Sequence, residues 1–581
     1  PYCGTFITAM PKEETGGDPA SLAVQTDLVN SGSDPAACEI LCEAFSPGGE
    51  LAAVVRWSGS VQPGATLRIF QNTFIPQPVL WDIDSPDLYV LRTTVFQDGK
   101  PVDEVENTFG VRSIRFTPEG GFFLNGRNIK LKGVCCHQDH AGVGIAVPPA
   151  LQAWRVKTLK EMGVNALRTS HNPPDPVLLD ACDRLGLLVM DENRLLGTSQ
   201  EVLGQLESLI RRDRNHPSVI LWSLGNEEMH VQDTPVGVRI FRRMQDLAHK
   251  LDPTRLVTYA MNNDWFYIVD KHDEAGFRLD VCGGNYVFKD MYDVDGQYYD
   301  VFHAKYPDWP LVATESGGFL SSRGQYSLDD LDPDMPYRSG VCWTNPAREG
   351  VVSAYGETCT PWGYSLEQTW KDCADRPYLS GTFLWTGFDY RGELYPFKYP
   401  SVITRFGILD LCGFPKDLAF YLRAWWREES LVHIFPHWNW PGREGQVIDV
   451  WCFSNCPRVE LLLNGLSLGI KDMQPNGHLE WQVPYQPGRL EARGFDQDGK
   501  LLESDVRETT GVPARLHLSS DRSGFTADGE DVIVVNVAVQ DDQGRLVPTA
   551  SNLVCFEVSG PAHILGVGNG NPTSHEPDKA S

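Results

Sequence analysis

The chain has 581 residues and a formal net charge of −27. Its length is too great for a single domain, because hydrophobic cores stop growing well before this size. The acidic excess argues against nucleic acid or an anionic membrane as a partner, since both require a basic face. No apolar run reaches the roughly 18 residues of a membrane-spanning helix, so none is predicted.

The cysteines predict a reducing environment. Fourteen are present, and their spacing fits neither a zinc site nor a small disulfide scaffold. Most lie beside apolar residues, as in Leu41-Cys42 and Val281-Cys282, which is typical of buried thiols. Residues 1–6 show neither the basic nor the apolar part of a signal peptide. We therefore predict a cytoplasmic location.

Residues 1–115 are predicted to form a small β-sandwich. Apolar residues alternate at Leu22, Val24 and Leu28, and Asp98-Gly99 is a hairpin signal between two strand-like runs. Turn residues recur at the spacing expected of an immunoglobulin-like sandwich.

From residue 116 to about 430 the pattern changes to alternating strands and helices. Thr234-Pro235 and Pro253 are start and stop signals for one of these helices. Eight predicted strands, with helical repeats in several of the gaps between them, favour a (β/α)₈ TIM barrel. A doubly wound sheet is the competing architecture, but no phosphate-binding glycine-rich turn follows an early strand. The eight predicted strands are 129–134, 164–167, 187–190, 219–222, 256–259, 279–282, 311–313 and 382–385.

The remainder is predicted to be β-structure again. Asn464-Gly465 and Asp498-Gly499 are hairpin signals, and apolar residues alternate from Ile533 to Val539. We predict two further immunoglobulin-like sandwiches, at 431–512 and 513–581. The last has no closing strand, as expected of a truncated domain.

Two glutamates follow apolar runs that read as buried parallel strands. Glu227 ends the string DRNHPSVILWSLGNE, and Glu315 ends WPLVATE. Carboxylates just past the C-terminal ends of barrel strands are where such barrels carry catalysis. Two of them supply the acid and the nucleophile that cleave a glycosidic bond with retention of configuration.

The string that ends at Glu227 resembles the acid/base signature of family 2 glycoside hydrolases, which include β-galactosidases and β-glucuronidases. NALRTSHNPP at 165–174 is similar to a second signature of the family. GTFLWTGFDYRGE at 381–393 and FGILDLCGFPK at 406–416 resemble the β-galactosidase branch that carries additional C-terminal immunoglobulin-like domains. The resemblance covers essentially the whole chain and implies a β-galactosidase.

The resemblance also implies roles for individual residues. Glu227, rather than the adjacent Glu228, would be the acid/base, and Glu315 the nucleophile. Asn226 would hydrogen-bond the sugar 2-hydroxyl. Arg168 would pair with Glu315 and keep it ionised.

Four further residues at strand ends are expected to contact the sugar or the nucleophile. His137 and His171 would hold the sugar, Tyr286 would hydrogen-bond the nucleophile, and Trp385 would be the sugar platform. For each of them alone, an ordinary buried polar or core role is an equally good interpretation.

No metal or cofactor is predicted. Some galactosidases of the family bind Mg²⁺ through a Glu-x-His pair after the third strand, but here that stretch reads DENRLLG, without histidine. Family members also begin with a jelly-roll domain that contributes to the sugar site, and this chain is expected to start where that domain ends.

Two alternatives to a β-galactosidase stay open. Family glucuronidases read the substrate carboxylate with an Asn-x-Lys pair that is missing after Trp385, although Lys398 and Arg405 offer cations for a β-glucuronide or β-galacturonide. A non-catalytic carbohydrate-binding barrel is the other alternative. The predicted partner is a carbohydrate substrate, and homo-oligomerisation is left open.

Overall fold

The computed structural model describes residues 3–12, 19–262, 265–287, 297–326, 350, 352–360, 362–394, 397 and 399–579. The chain clusters into two compact units. The first consists of Pro1–Cys135, Asn165–Glu315 and Cys373–Phe383, and the second of Cys136–Val164, Ser316–Asp372 and Leu384–Ser581.

The first unit begins with a sandwich of two antiparallel sheets. Its strands are β1 (Thr5–Pro11), β2 (Ala20–Val29), β3 (Ala36–Phe45), β4 (Leu51–Val61), β5 (Thr66–Ile75), β6 (Tyr89–Gln97) and β7 (Lys100–Phe109). The sheet orders are β1-β2-β5 and β4-β3-β6-β7. Alternating apolar residues such as Val24, Ile40 and Leu91 fill one shared core. The predicted hairpin at Asp98-Gly99 is confirmed, since both residues have positive φ and join β6 to β7.

Eight strands then form a closed barrel in chain order. A small sheet of β8 (Ile114–Thr117), β9 (Gly121–Leu124) and β10 (Arg127–Asn128) precedes it. The barrel strands are β11 (Leu131–Cys136), β12 (Ala166–Thr169), β13 (Leu188–Glu192), β14 (Val219–Asn226), β15 (Leu256–Met261), β16 (Cys282–Asn285), β17 (Leu311–Gly317) and β20 (Leu379–Trp385), with β18 (Phe319–Leu320) and β19 (Thr358–Cys359) as a short separate pair. The predicted TIM barrel is confirmed, and the doubly wound alternative is wrong.

Helices alternate with the barrel strands. They are α1 (Pro149–Glu161), α2 (Pro176–Leu185), α3 (Gln200–Asp213), α4 (Pro235–Leu251), α5 (Trp265–Glu274), α6 (Gln297–Lys305), α7 (Leu366–Ala374) and α8 (Asp417–Trp426). The start signal predicted for α4 is confirmed, because the Thr234 side chain accepts a hydrogen bond from the Gly237 amide. None of the described helices is both long enough and apolar enough to cross a membrane.

The sixth barrel strand differs most from its prediction. It begins at Cys282, where the predicted strand ends, and it runs through Gly283 and Gly284. A Cβ atom at Gly284 would lie 2.2 Å from the Trp265 ring, and one at Gly283 would lie 2.5 Å from the Tyr259 carbonyl oxygen. Close packing therefore selects glycine in a segment whose sequence is typical of a turn.

The second unit contains a second sandwich. Its strands are β21 (Val432–Phe435), β22 (Val447–Ser454), β23 (Arg458–Leu463), β24 (Leu466–Asp472), β25 (Leu479–Pro484), β26 (Arg489–Phe495) and β27 (Leu501–Glu508). The sheet orders are β21-β22-β25 and β24-β23-β26-β27. Val450, Val459 and Trp481 belong to their shared core.

An antiparallel pair, β28 (Arg515–Ser520) and β29 (Val535–Gln540), follows the second sandwich. A complete sandwich at 513–581 therefore stays a prediction. The three domain boundaries proposed from the sequence stay predictions as well.

Candidate active site

Polar side chains gather at the C-terminal ends of neighbouring barrel strands. Arg168 lies on β12, Glu192 ends β13, Asn226 ends β14, Asn285 ends β16 and Glu315 lies near the end of β17. Parallel barrel strands bring these ends to one rim. Hydrogen bonds join the five side chains into a single network.

Glu315 lies in the buried part of this network. Only 6% of its surface is exposed, and the Arg168 guanidinium donates from Nη1 to its Oε2 at 2.9 Å. The same Nη1 donates to the Thr314 carbonyl at 3.0 Å, which holds the guanidinium in place. The Tyr286 side chain hydrogen-bonds the Glu315 carboxylate, and the Tyr286 amide donates to the Glu315 carbonyl at 2.7 Å.

Burial and neighbouring charges act in opposite directions on the pKa of Glu315. Burial, and after it the charge of Glu227, raise the pKa of Glu315 to about 7, although Arg168 and His171 act in the opposite direction. The predicted ion pair with Arg168 is present. Arg168 lowers the pKa of Glu315 as expected, although burial raises it more.

The backbone at the end of β14 aims the Glu227 carboxylate. The register with β15 shifts between Ser223 and Asn226, and Glu227 itself has a φ of 49°. Such irregularities redirect side chains at functional sites, and the left-handed conformation costs about 1–2 kcal/mol. Asn262 donates to Glu227 Oε2 at 2.8 Å, and Asn285 donates to its Oε1 at 2.9 Å.

Asn226 is oriented by two donors. Its Oδ1 accepts from Arg168 Nη2 at 2.7 Å and from Asn285 Nδ2 at 2.9 Å. Because the oxygen is directed at these donors, the amide nitrogen faces away from them. This orientation suits the predicted donation to a sugar hydroxyl.

Glu192 is a site residue that the sequence analysis missed. It is completely buried and accepts hydrogen bonds from Arg168 at 2.8 and 3.0 Å and from Ser223 Oγ at 2.8 Å. His171 Nδ1 lies 2.8 Å from its Oε1. Burial raises the pKa of Glu192, but Arg168 and then His171 overcome that effect and lower the pKa to about 2. Glu192 could have been predicted from the same signal as Glu315, because it is an acidic residue at the end of an apolar strand.

The other two predicted sugar contacts lie in the second unit. The His137 ring stacks on Tyr390 with centroids 4.1 Å apart, and Trp385 Nε1 donates to the Tyr390 hydroxyl at 3.0 Å. The Tyr390 hydroxyl also donates to the Glu393 carboxylate. Trp385 is only 4% exposed. Its role as a sugar platform therefore stays a prediction.

The structure describes one of the two cations that the sequence offers for an acidic sugar. Arg405 is buried and donates to the Gly350 and Ile403 carbonyls and to the Ser401 hydroxyl, and its guanidinium packs 4.1 Å from the Phe397 ring centroid. These contacts give Arg405 a structural role, and the alternative that it serves an acidic sugar stays a prediction. Lys398 lies outside the described residues.

One group of potential metal ligands occurs among the described residues, away from the glutamates. The ligand atoms of Asp180, Asp183 and His216 lie within 4.8 Å of one another. However, the Asp183 carboxylate is bound by His216 Nδ1 at 2.6 Å and by the Ser218 amide at 3.0 Å. We interpret the group as an ion pair that anchors the start of β14.

Comparison with known proteins decides the family. The family 2 glycosyl hydrolase model matches residues 5–112, and the TIM barrel domain model of that family matches residues 117–315. A domain of unknown function matches residues 445–503, and the family 2 C-terminal domain 5 model matches residues 516–581. A β-galactosidase of Bacteroides ovatus is 36% identical over 99% of this chain and 70% of its own length. The chain belongs to glycoside hydrolase family 2.

Other family 2 members carry different names. A β-glucuronidase of Formosa agariphila is 26% identical over 98% of this chain, which spans 55% of that relative's length. A solved β-glycosidase structure from Bacteroides vulgatus has a TM-score of 0.85 at 31% identity, covering 100% of this chain and 74% of its own. The predicted family and the class of enzyme, a glycoside hydrolase, are confirmed.

Proposed function

We propose that this family 2 glycosidase hydrolyses terminal β-galactosides with retention of configuration, with Glu315 as nucleophile and Glu227 as acid/base. The observation that carries the proposal is the Asn285 amide nitrogen, which lies 2.9 Å from Glu227 Oε1 and 3.3 Å from Glu315 Oε2. Two carboxylates that share one donor atom are close together. That arrangement suits the separation of about 5–5.5 Å in retaining enzymes better than the wider separation of inverting ones.

The reaction would proceed in two displacements. Glu315 attacks the anomeric carbon while Glu227 protonates the departing oxygen, so that a glycosyl ester forms on Glu315 and the aglycone leaves as an alcohol. Glu227, now a carboxylate, then takes a proton from water, which attacks the anomeric carbon and releases the sugar and free Glu315. Arg168, Tyr286 and Asn285 all bind the Glu315 carboxylate before it attacks.

The preference for a galactoside rests on charge. A substrate carboxylate would enter a rim that already holds Glu227, Glu315 and Glu192, and an uncompensated charge there costs several kcal/mol. Arg405 donates to the Ile403 and Gly350 carbonyls, which supports a structural role for it rather than one toward a substrate carboxylate. The 36% identical relative from Bacteroides ovatus is named a β-galactosidase, which supports the same substrate.

A β-glucuronidase or β-galacturonidase is the second candidate, favoured by relatives that are named β-glucuronidases. In that case Lys398 is the cation that would bind the substrate carboxylate.

Both candidates are tested by comparing p-nitrophenyl β-galactoside, β-glucuronide and β-galacturonide on the parent chain and on Lys398→Met. We expect the galactoside to have at least a hundredfold higher kcat/KM, at about 1.4 kcal/mol per factor of ten, and the substitution to leave this order unchanged. A uronide that is preferred by the parent and lost in Lys398→Met would replace the galactosidase proposal. Absence of hydrolysis of all three, with binding retained, would favour a non-catalytic carbohydrate-binding protein.

A further inference from the structure

Asn285 lies at the centre of the candidate site, and no role was expected for it. It is 2% exposed, and its Nδ2 lies within hydrogen-bonding distance of Asn226 Oδ1, Glu227 Oε1 and Glu315 Oε2, at 2.9, 2.9 and 3.3 Å. The Thr314 hydroxyl donates to its Oδ1 at 2.8 Å. With oxygen acceptors on one side and a hydroxyl donor on the other, the orientation of the amide is fixed.

The number of hydrogens on this amide is smaller than the number of its acceptors. An asparagine nitrogen carries two hydrogens, and three oxygens surround it. One hydrogen is directed at Asn226 Oδ1, which lies 2.9 Å away. A single hydrogen then remains for the two carboxylates, and the one with more negative charge attracts it more strongly.

The proposed reaction moves negative charge between these two carboxylates. Glu315 loses its charge when it becomes an ester, and Glu227 gains charge when it gives its proton to the leaving group. We propose that Asn285 is a positioning residue whose N–H follows this charge, bonding Glu315 before glycosylation and Glu227 in the covalent intermediate. The proposal rests on the proposed function, because it requires Glu315 and Glu227 to exchange charge.

Asn262 provides a matched comparison. Its Nδ2 donates to Glu227 Oε2 at 2.8 Å, and Glu315 is not among the acceptors of its side chain within the described residues. Both asparagines thus stabilise the carboxylate form of Glu227 through an amide donor, but only Asn285 is shared with Glu315.

The experiment measures kcat/KM against pH for the parent, Asn285→Ala and Asn262→Ala with p-nitrophenyl β-galactoside. An amide donor favours a carboxylate over a carboxyl group, so its loss moves ionisation to higher pH. For Asn285→Ala we expect both limbs of the profile to move to higher pH and the maximum to fall about 10- to 100-fold. For Asn262→Ala only the alkaline limb should move.

Asn285→Asp keeps the shape of the side chain and an acceptor for Thr314, and it replaces the donor by a third carboxylate. Both limbs should move further than in Asn285→Ala. This variant also tests the proposal if Asn285→Ala fails to fold. A lower maximum with both limbs unmoved in either variant would show that Asn285 is only structural and would overturn the proposal.

A second readout separates this proposal from the proposed function. Infrared difference titration of the full chain labelled with ¹³C-glutamate follows the carboxyl groups without turnover, and Glu227→Gln and Glu315→Gln identify the two signals. We expect both signals to move to higher pH in Asn285→Ala and only the Glu227 signal to move in Asn262→Ala. If no glycoside is hydrolysed but both signals move in Asn285→Ala, the proposed function is wrong. The proposal that Asn285 donates to both carboxylates is then still supported. If Asn285→Ala moves only one of the two signals, or neither, the proposal that Asn285 donates to both carboxylates is wrong, whatever the activity of the chain.

Discussion

At the scale of single residues, Arg168 is the cation that hydrogen-bonds several polar side chains of the candidate site. Its guanidinium is fully buried and donates to Glu192, Asn226 and Glu315. The pKa of Glu192 is lowered to about 2, whereas burial raises that of Glu315 to about 7. Glu192 thus stays ionised beside the guanidinium near neutral pH, where burial favours the protonated form of Glu315.

The first prediction concerns Glu227→Ala. Substrates with poor leaving groups should lose far more kcat/KM than activated aryl galactosides, because only the former need a proton in order to depart. The difference should reach about 10²- to 10⁴-fold, the usual contribution of general acid catalysis. Steady-state kinetics with a series of aryl galactosides measures it. Glu228→Ala is the matched control, and a greater loss in that variant would reverse the assignment of the two glutamates.

The second prediction concerns the stability that Glu192 provides. A carboxyl whose pKa falls from 4.5 to about 2 on folding stabilises the fold above its unfolded pKa. That stability, on the order of 3 kcal/mol, is lost as the pH falls toward 2. Glu192→Gln should lower the urea midpoint of unfolding at pH 7. Between pH 5 and pH 3 the midpoint of this variant should fall less than that of the parent chain.

The exposed Glu201 on α3 supplies the control for this measurement. Glu201→Gln also removes one carboxylate, from an exposed position, and should change the free energy of unfolding at pH 7 by less than about 0.5 kcal/mol. An unchanged acid dependence in Glu192→Gln would mean that Glu192 is not held ionised by Arg168 and His171.

At the scale of elements, β16 connects the packing of the barrel to the site. Gly284 accommodates the Trp265 ring, and the Trp265 indole donates to the Asn285 carbonyl at 3.1 Å. The next residue, Tyr286, has a φ of 51° and its side chain bonds Glu315. The glycines thus permit the close approach that places Asn285 and Tyr286 at the rim.

The third prediction follows from this packing. Gly284→Ala places a methyl group against the Trp265 ring and should destabilise the chain by about 1–3 kcal/mol, as overpacking usually does. It should also lower kcat by displacing Asn285. Thermal unfolding and kinetics together measure both effects. Gly204→Ala on α3, where nothing lies within 4 Å, is the control and should stabilise by up to about 1 kcal/mol. Equal effects of the two substitutions would contradict the packing account.

Strands whose packing requires apolar residues were predictable from the sequence. A strand whose packing requires small residues was not. β14 is buried along nearly its whole length and reads as a continuous apolar run. β16, with the sequence CGGN, carries no such run. Glu227 and Glu315 were predictable because each follows an apolar run. Asn262 and Asn285 were not, because their importance depends on partners that the fold brings from neighbouring strands.

At the scale of the whole molecule, the order of sandwich, barrel and sandwich along the chain was predictable from changes in periodicity and from family motifs. Substrate preference was not predictable from the sequence, because it depends on which cations lie near the C-terminal ends of the barrel strands. Arg405 illustrates this point, since the sequence offers it as a cation and the structure uses it to bind the Gly350 and Ile403 carbonyls. The pairing of Glu315 with Glu227 is therefore the claim on which the proposed function depends.

The most direct test of that claim is azide rescue of Glu315→Gly, with the configuration of the product determined by ¹H NMR. Without the nucleophile no glycosyl ester forms, so turnover of an activated β-galactoside should nearly vanish. Added azide should restore turnover and give the α-galactosyl azide, because it attacks from the face that Glu315 occupied. Glu227→Ala with azide should instead give the β-azide, through the intact ester on Glu315. A β-azide from Glu315→Gly would contradict the account.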